Sequence, residues 1–350
     1  MKTINISLKR ELIFLHTLLA MCSEAKQYVR IFTFPYSSTQ NKYEKLKIVQ
    51  NGKFGYREVF EAREKCNPEK FVTMKQIVMQ EEGFPIATLR EIQILQKLNH
   101  DNITRMIEVH KMDTSLYLVY EFCDYDLGKL LGNLKVVINL AEIKNMLHSI
   151  LTGLHYIHQN KILHRYMKPQ NILVSKSGVI KISGFTYSRT FGDVFNRDSD
   201  RIANLWYRAP EILLGDTNYG PAIDLWAVGC IMAEMWARLP ILQGNSERHQ
   251  LSLISQICGS MIPQVWPGVQ HLEFYERIKL SKIQERKVRQ CFGPFLADAH
   301  ASDLLDRLLV LDPLQRINAA AALNHTFFQT AILEVHRVNN KSQPHICGSS

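Results

Sequence analysis

The sequence predicts an α+β protein in which a small β-rich block precedes a larger helical one. Three observations lead there. Segments 45–49, 58–63, 72–78 and 115–119 are short, rich in apolar residues and bounded by polar or turn-forming ones, which is the pattern of strands. Beyond Leu127 apolar residues recur at helical spacing, most clearly Ile143, Met146, Leu147, Ile150, Leu151, Leu154 and Ile157. The run Asp224–Trp236 is apolar on nearly every side, as a fully buried helix would be.

Taken in order, residues 1–42 read as an extension ending in the turn-rich stretch 36–41. Its start is basic at Lys2, Lys9 and Arg10, and an apolar run over 12–21 follows. That outline loosely matches a secretory signal, but Glu11 sits at the junction and His16 breaks the apolar middle. The segment is therefore expected to be an exposed or docked helical extension rather than a cleaved signal. Within the β-rich block one helix is expected, with Pro85 as its first residue and Ile86, Leu89, Ile92, Leu95 and Leu98 on one face. Asn139 and Glu142 have the spacing of a capping box for a helix running through Ile157. Helical segments continue to Phe328, and 329–350 form a polar tail.

Composition excludes several classes. With 350 residues, 46% of them hydrophobic, the chain can bury a sizeable core. The formal charge is +9, yet no finger, RNP or arginine-rich motif accompanies it, so the charge reads as solubility rather than direct nucleic-acid binding. Seven cysteines, an odd number with no CxxC pair, point to a reduced setting without structural zinc. No apolar run reaches the roughly 18 residues of a membrane span.

The most informative stretch is Ile162-Leu-His-Arg-Tyr-Met-Lys-Pro-Gln-Asn171. It has the outline of His-Arg-Asp, four residues, then Asn, with Tyr166 at the Asp position. Twelve residues beyond Asn171 stands Ser183-Gly-Phe-Thr186, where an Asp-Phe-Gly triplet would fall. With the segments 26–28, 42–46, 82–91, 219–226, 229–236 and 308–317, these motifs resemble the eukaryotic protein kinases. The resemblance is to the cyclin-dependent branch, and especially to its transcription-elongation members that pair with cyclin T. It covers about residues 25 to 328 and implies a two-lobed kinase fold: an N-lobe over 43–120, a hinge over 121–126 and a C-lobe over 127–328.

What the resemblance implies for single residues is uneven. Lys75 matches the strand lysine that holds the α- and β-phosphates of ATP, and Glu91 its helix partner. Tyr120 matches the back of the adenine pocket, Glu121, Phe122 and Cys123 the hinge, and Asp126 the ribose-contacting position. His164, Phe185, Leu95 and Met106 match a stacked apolar column, Asp224 the anchor of the catalytic loop, and Glu211 with Arg316 a buried brace. Gly83–Leu98 matches the cyclin-docking segment, with Phe84, Ile86 and Leu89 as apolar anchors. Arg90, Arg165 and Arg189 match arginines that gather around a phosphorylated loop residue, which alignment places at Ser199.

The chemical positions depart from the pattern. The phosphate-covering loop keeps Gly52 and Gly55 but has Gln50 for its first glycine, and Tyr56 and Arg57 are two extra residues that lengthen the hairpin or force a bulge. Lys168 and Asn171 remain in the catalytic loop, but a phenol at Tyr166, with an ordinary pKa of about 10, cannot serve as the base at neutral pH. Gly184 replaces the carboxylate that would hold Mg²⁺, leaving Asn171 as the only metal-facing group. Loss of the positioned base alone typically costs about 10²–10⁴ in rate. The expected function is a pseudokinase that binds a cyclin, T-type by preference, as a heterodimer, and regulates or scaffolds in the nucleus or cytoplasm with weak ATP binding. The alternatives are a weakly active ATP-dependent Ser/Thr kinase and a diverged copy that folds poorly.

Overall fold

The structure is a computed structural model that describes residues 35–39, 41–51, 56–78, 85–113, 115–192, 205–276, 283–296 and 298–329. It divides into two compact units, one built from the residues up to Asn99 with Thr104–Asp124, the other from His100–Ile103 with the residues from Tyr125 onward.

Among the described residues the first unit holds a six-stranded sheet and a helix. Strands β1 (Tyr36–Ser37), β2 (Tyr43–Asn51), β3 (Tyr56–Glu64), β4 (Asn67–Ile77), β5 (Met106–Met112) and β6 (Ser115–Glu121) lie in the order β1-β5-β6-β4-β3-β2. All neighbours are antiparallel except β1 and β5, which run parallel. Alternation puts Phe60, Ala62, Val72, Met74, Tyr117 and Val119 on one face, where Tyr43 joins them in a buried cluster. Helix α1 spans Ile86–Lys97 and buries Leu89, Ile92 and Leu95.

The sequence expectations for this unit need four corrections. Each strand reaches beyond its apolar run at one end or both, because pairing continues into polar residues, while β4 stops at Ile77 and leaves out Val78. Strand β5 was not expected, and its buried residues include Glu108 and His110, which hide it from a hydropathy reading. The turn-rich stretch after residue 35 contains β1, paired through Tyr36 to Val109 and Ser37 to His110. Pro85 is the N-cap, with a non-helical ψ of 129°, not the first helical residue, and Leu98 lies one residue past the helix. The expected irregularity after the glycine loop is a register shift: Tyr56 pairs Ile77 and Val59 pairs Lys75, so three steps on β3 oppose two on β4.

The second unit is mainly helical. Helix α2 (Leu127–Gly132) follows the short strand β7 (Tyr125–Asp126). Helix α3 (Leu140–Gln159) opens with the expected capping box, Asn139 accepting from the Glu142 N–H while the Glu142 carboxylate accepts from the Asn139 N–H. Gly153 in α3 lets the backbone of Asn102 approach, since a Cβ there would lie 2.9 Å from the Asn102 carbonyl oxygen. Asn102 in turn holds β10 (Ile180–Ile182) by accepting from Ile182 N–H and donating to Ile180. Strands β8 (Ile162–Leu163) and β9 (Ile172–Val174) bracket the catalytic-loop segment, and β11 (Arg189–Thr190) pairs with β8. Helix α5 (Ala222–Ala237), preceded by the short α4 (Pro210–Leu213), is buried at every position from Ile223 to Met235, as its uniform apolarity requires. Helices α6 (Glu247–Cys258), α7 (Val288–Leu296), α8 (Ala299–Leu308), α9 (Ala319–Leu323) and α10 (Thr326–Gln329) complete the unit.

Candidate active site

The loop between β8 and β9 is held by a single buried carboxylate. Asp224, on α5, accepts from the backbone N–H of Arg165 (2.8 Å) and of His164 (2.9 Å), and from His158 Nε2 (2.9 Å). Burial pushes its pKa up, but the His158 hydrogen bond and the neighbouring positive and N–H dipoles outweigh that and hold it below the ordinary value. Arg165 has a φ of 66°, a left-handed conformation costing on the order of 1–3 kcal/mol. The two bonds to Asp224 keep it there. His164 accepts from the Tyr166 N–H at Nδ1 (3.2 Å), so Nε2 carries the proton and donates to the Ser183 carbonyl (2.9 Å). Its ring meets Phe185 edge-on at 4.9 Å, and both side chains are fully buried.

The residues at the chemical positions are joined to one another. Lys168 Nζ donates to the Tyr166 hydroxyl at 2.8 Å and lies 4.2 Å from the ring centroid. The Tyr166 ring packs edge-on against Tyr187 at 4.9 Å. Tyr187 is a site residue the sequence reading missed. It directly follows Thr186, and a second large phenol one residue past the altered triplet was the available signal. Burial, and then the proximity of Tyr166, push its own pKa up. Its carbonyl accepts from Arg165 Nη1 (3.2 Å), and the Arg165 guanidinium lies 5.6 Å from the Tyr219 ring. Asn171 is tied in four ways: Nδ2 donates to the Tyr166 carbonyl (2.7 Å), its N–H donates to the Lys168 carbonyl (2.9 Å), and its own carbonyl accepts from the Ser183 N–H (2.8 Å) and hydroxyl (3.1 Å).

Gly184 has a φ of 84°, and a Cβ there would lie 2.6 Å from Asn171 Cγ and Nδ2. The Asn171 amide thus fills the space where a larger residue at 184 would begin. Among the described residues no three His, Cys, Asp or Glu side chains converge to hold a metal ion. Asn171 offers one neutral oxygen and Gly184 none, where Mg²⁺ is usually held by one or two carboxylates beside water and substrate phosphates.

In the first unit Lys75 on β4 reaches Glu91 on α1 with Nζ 3.2 Å from Oε1 and 3.1 Å from Oε2. Tyr120 donates its hydroxyl to the same Oε1 at 2.8 Å, a third member that the motif comparison did not anticipate. Burial lowers the Lys75 pKa and the Glu91 charge opposes that. Glu121 is occupied by Arg105, exchanging backbone and side-chain bonds with it (Glu121 N–H to the Arg105 carbonyl at 3.0 Å, Arg105 N–H to Oε1 at 2.7 Å). Cys123 is half-buried. In the second unit Asp126 is the N-cap of α2, one oxygen accepting from the Lys129 N–H (2.9 Å) and the other facing Lys129 Nζ (3.2 Å). Of the three arginines, Arg90 lies on α1, Arg165 in the catalytic loop and Arg189 on β11. Gly52, Gly55, Phe84 and Ser199 lie outside the described residues.

The helical unit has its own brace. Arg316 and Glu211, both with fully buried side chains, form a two-pronged pair (2.7 and 3.0 Å). The guanidinium also donates to the carbonyls of Val310, Leu311 and Ala222.

The protein kinase domain model matches residues 43–328. The chain belongs to the protein kinase family. Within it the similarity is to the cyclin-dependent branch. Human cyclin-dependent kinase 9 is 49% identical over 318 residues, covering 87% of this chain and 84% of the relative. The zebrafish (Danio rerio) protein of the same name is 49% identical over 312 residues, 84% of this chain and 83% of the relative. Among solved structures, a chain of the yeast RNA Pol II CTD kinase CTDK-1 complex superposes with a TM-score of 0.75 at 30% identity, covering 83% of this chain and 97% of that one. The fold expected from the sequence is thus the observed one.

Proposed function

We propose that this kinase-family chain is a pseudokinase of the transcriptional cyclin-dependent type, acting by binding a cyclin rather than by transferring phosphate. The observation that carries the reading is the Tyr166–Lys168 bond of 2.8 Å. It places a phenol, already committed to the lysine, where the branch has the carboxylate that takes the substrate's proton. Gly184 brings no metal ligand, and the Asn171 amide fills its place. The lost groups serve one transition state, so their losses compound without simply multiplying. The exposed Ile86 on α1, 48% accessible, is the apolar contact available to a cyclin, T-type by preference. Leu89, expected as another anchor, is instead 7% accessible and belongs to the interior. A cyclin partner and the relatives' names favour a nuclear role in transcription.

The rival reading, a weak ATP-dependent Ser/Thr kinase, has one observation in its favour. Within the first unit Lys75 is paired with Glu91, and within the second Asp224 anchors the catalytic loop, each as nucleotide chemistry would need it. Lys75 would hold the α- and β-phosphates of bound ATP, whose reactive phosphoanhydride supplies the chemistry. The deciding measurement is a thermal shift with ATP, with and without Mg²⁺, beside a phosphotransfer assay with cyclin T present. A ligand that binds only the native state raises stability by RT ln(1 + [L]/Kd). Pseudokinase behaviour predicts no transfer and no Mg²⁺-dependent increment. Robust transfer that Lys75→Met abolishes would reverse the assignment.

A further inference from the structure

Away from the nucleotide-facing residues, the first unit contains a compact polar cluster that no part of the proposed function uses. Strand β1 runs parallel to β5 at the edge of the sheet and is only two residues long. Strand pairing contributes little at that length, and the Val109 N–H donation to the Pro35 carbonyl (3.0 Å) adds one bond. What fastens it is Ser37. Its Oγ lies 3.0 Å from Glu108 Oε1 and 2.7 Å from His110 Nδ1. Lys42 Nζ closes the cluster, 2.8 Å from both Glu108 oxygens.

Burial fixes the direction of these bonds. Glu108 is 5% accessible and His110 is fully buried, while Ser37 is half-buried. Among the described residues His110 Nε2 has no hydrogen-bond partner. If Ser37 donated to Nδ1, the ring proton would sit on Nε2 as an orphaned buried donor. If His110 instead donates from Nδ1 to Ser37 Oγ, the unpartnered nitrogen is a bare acceptor, the less costly defect. The Ser37 hydroxyl proton is then free to go to Glu108, and every atom in the cluster has one consistent role. Burial also pulls the His110 pKa down against the pull of Glu108, in keeping with a neutral ring.

That arrangement needs a hydroxyl that both donates and accepts, with no added charge. We propose that Ser37 is a phosphoacceptor site, and that its phosphate unfastens β1 from β5. A separate Ser/Thr kinase would transfer the γ-phosphoryl group of ATP. The Oγ–P bond forms, the bond from Pγ to the ADP oxygen breaks, and the hydroxyl proton passes to that enzyme's base. A two-residue edge strand followed by exposed Ser38 and Thr39 detaches readily enough to be presented. The product cannot re-dock as before. It has lost the proton given to Glu108 and carries about −1.5 to −2 charge, about 3 Å from a buried carboxylate whose one lysine is already engaged.

The test uses the full chain with phosphoserine installed at position 37 by genetic encoding, beside unmodified protein and Ser37→Ala. Thermal melting confirms that all three are folded. Hydrogen exchange of the Val109 amide is the readout, because that N–H is bonded to Pro35. Phosphoserine is expected to speed exchange at least tenfold, and Ser37→Ala, which loses bonds without adding charge, a few-fold. Equal exchange in the phosphorylated and unmodified proteins would overturn the proposal. So would slower exchange, which would mean that Lys42 captures the phosphate and tightens the strand. Treatment of the unmodified chain with a nuclear extract and ATP, followed by peptide mapping, tests the acceptor. Phosphate on Ser37 supports it; phosphate on Ser38 or Thr39 with none on Ser37 would refute it.

Discussion

Asn171 stands where the side chain of any larger residue at Gly184 would begin, its Cγ and Nδ2 2.6 Å and its Oδ1 2.7 Å from the position of a Cβ there. The two positions are therefore coupled, and restoring one carboxylate does not restore a site. Gly184→Asp must displace the amide, break its bond to the Tyr166 carbonyl and accept a φ of 84°, a conformation costing about 1 kcal/mol for a residue with a Cβ. The variant is expected to melt lower than the wild type. Asn171→Ala in the same chain should recover part of the loss, because it empties the contested space. Calorimetric melting of the two single variants and the double variant measures the coupling; strict additivity would show that the residues are independent.

Tyr166→Asp is expected to release Lys168 and to remove the edge-on partner of Tyr187. Phosphotransfer should stay at background in Tyr166→Asp alone. It should rise only when Gly184→Asp is added, since both carboxylates serve one transition state. The comparison is a cycle of initial rates with cyclin and Mg²⁺ present. Activity in wild type equal to that of the double variant would contradict it.

The scaffold was legible because its signals are local. The capping box at Asn139 and Glu142, the uniform apolarity of α5 and the short apolar runs of β3 and β4 can each be read within a few neighbouring residues. Strand β5 was not legible, because Glu108 and His110 are buried polar residues whose partners, Ser37 and Lys42, are about seventy positions away. Motif comparison located Tyr166, Lys168, Asn171 and Gly184 but could not show their bonding. The Lys168–Tyr166 bond depends on a loop held by Asp224, and the Asn171 contact depends on the positive φ of Gly184. Likewise Lys75 and Glu91 were paired from the sequence, while the Tyr120 hydroxyl on the same carboxylate needs β6 laid beside β4.

Glu234 gives the folded state a pH dependence. It sits on α5, 5% accessible, with the Tyr207 hydroxyl bonded to its carboxylate. Burial pushes its pKa up to about 7, against the lowering effect of that bond. A folded-state pKa above the unfolded one means that the native state holds the proton more tightly. Stability is therefore undiminished below the unfolded value and falls as pH rises through about 7. A shift of this size corresponds to about 3 kcal/mol at pH 8. Glu234→Gln should flatten the dependence between pH 5 and pH 8 and raise stability at the alkaline end. Urea midpoints across that range report it. An unchanged slope in the variant would mean that another group titrates.

Removing one partner of the Arg316–Glu211 pair is expected to be far more damaging than removing both. Arg316→Met leaves the buried Glu211 carboxylate without its partner and also withdraws donors from the Val310, Leu311 and Ala222 carbonyls. Breaking a buried pair this way costs about 3–5 kcal/mol. Arg316→Met with Glu211→Leu should be milder, since no buried charge is left over, though the orphaned carbonyls keep it below wild type. Denaturant midpoints of the single and double variants decide the matter.

Helix α1 lets the proposed docking contact be tested apart from folding within one turn. Ile86 is 48% accessible and Leu89 is 7% accessible, so the same charge introduced at each has different consequences. Ile86→Arg should leave the melting temperature within a degree or two, because an exposed substitution seldom changes stability by more than about 0.5 kcal/mol. It should weaken capture of cyclin T at least tenfold, since a charge would replace an apolar anchor. Leu89→Arg should instead unfold the first unit, because its guanidinium would enter the space beside Ile92 and Leu95 without a partner. Capture assays at micromolar cyclin, run beside thermal melts, distinguish the two. Normal capture by folded Ile86→Arg would remove α1 from the cyclin interface and leave the partner assignment without its contact.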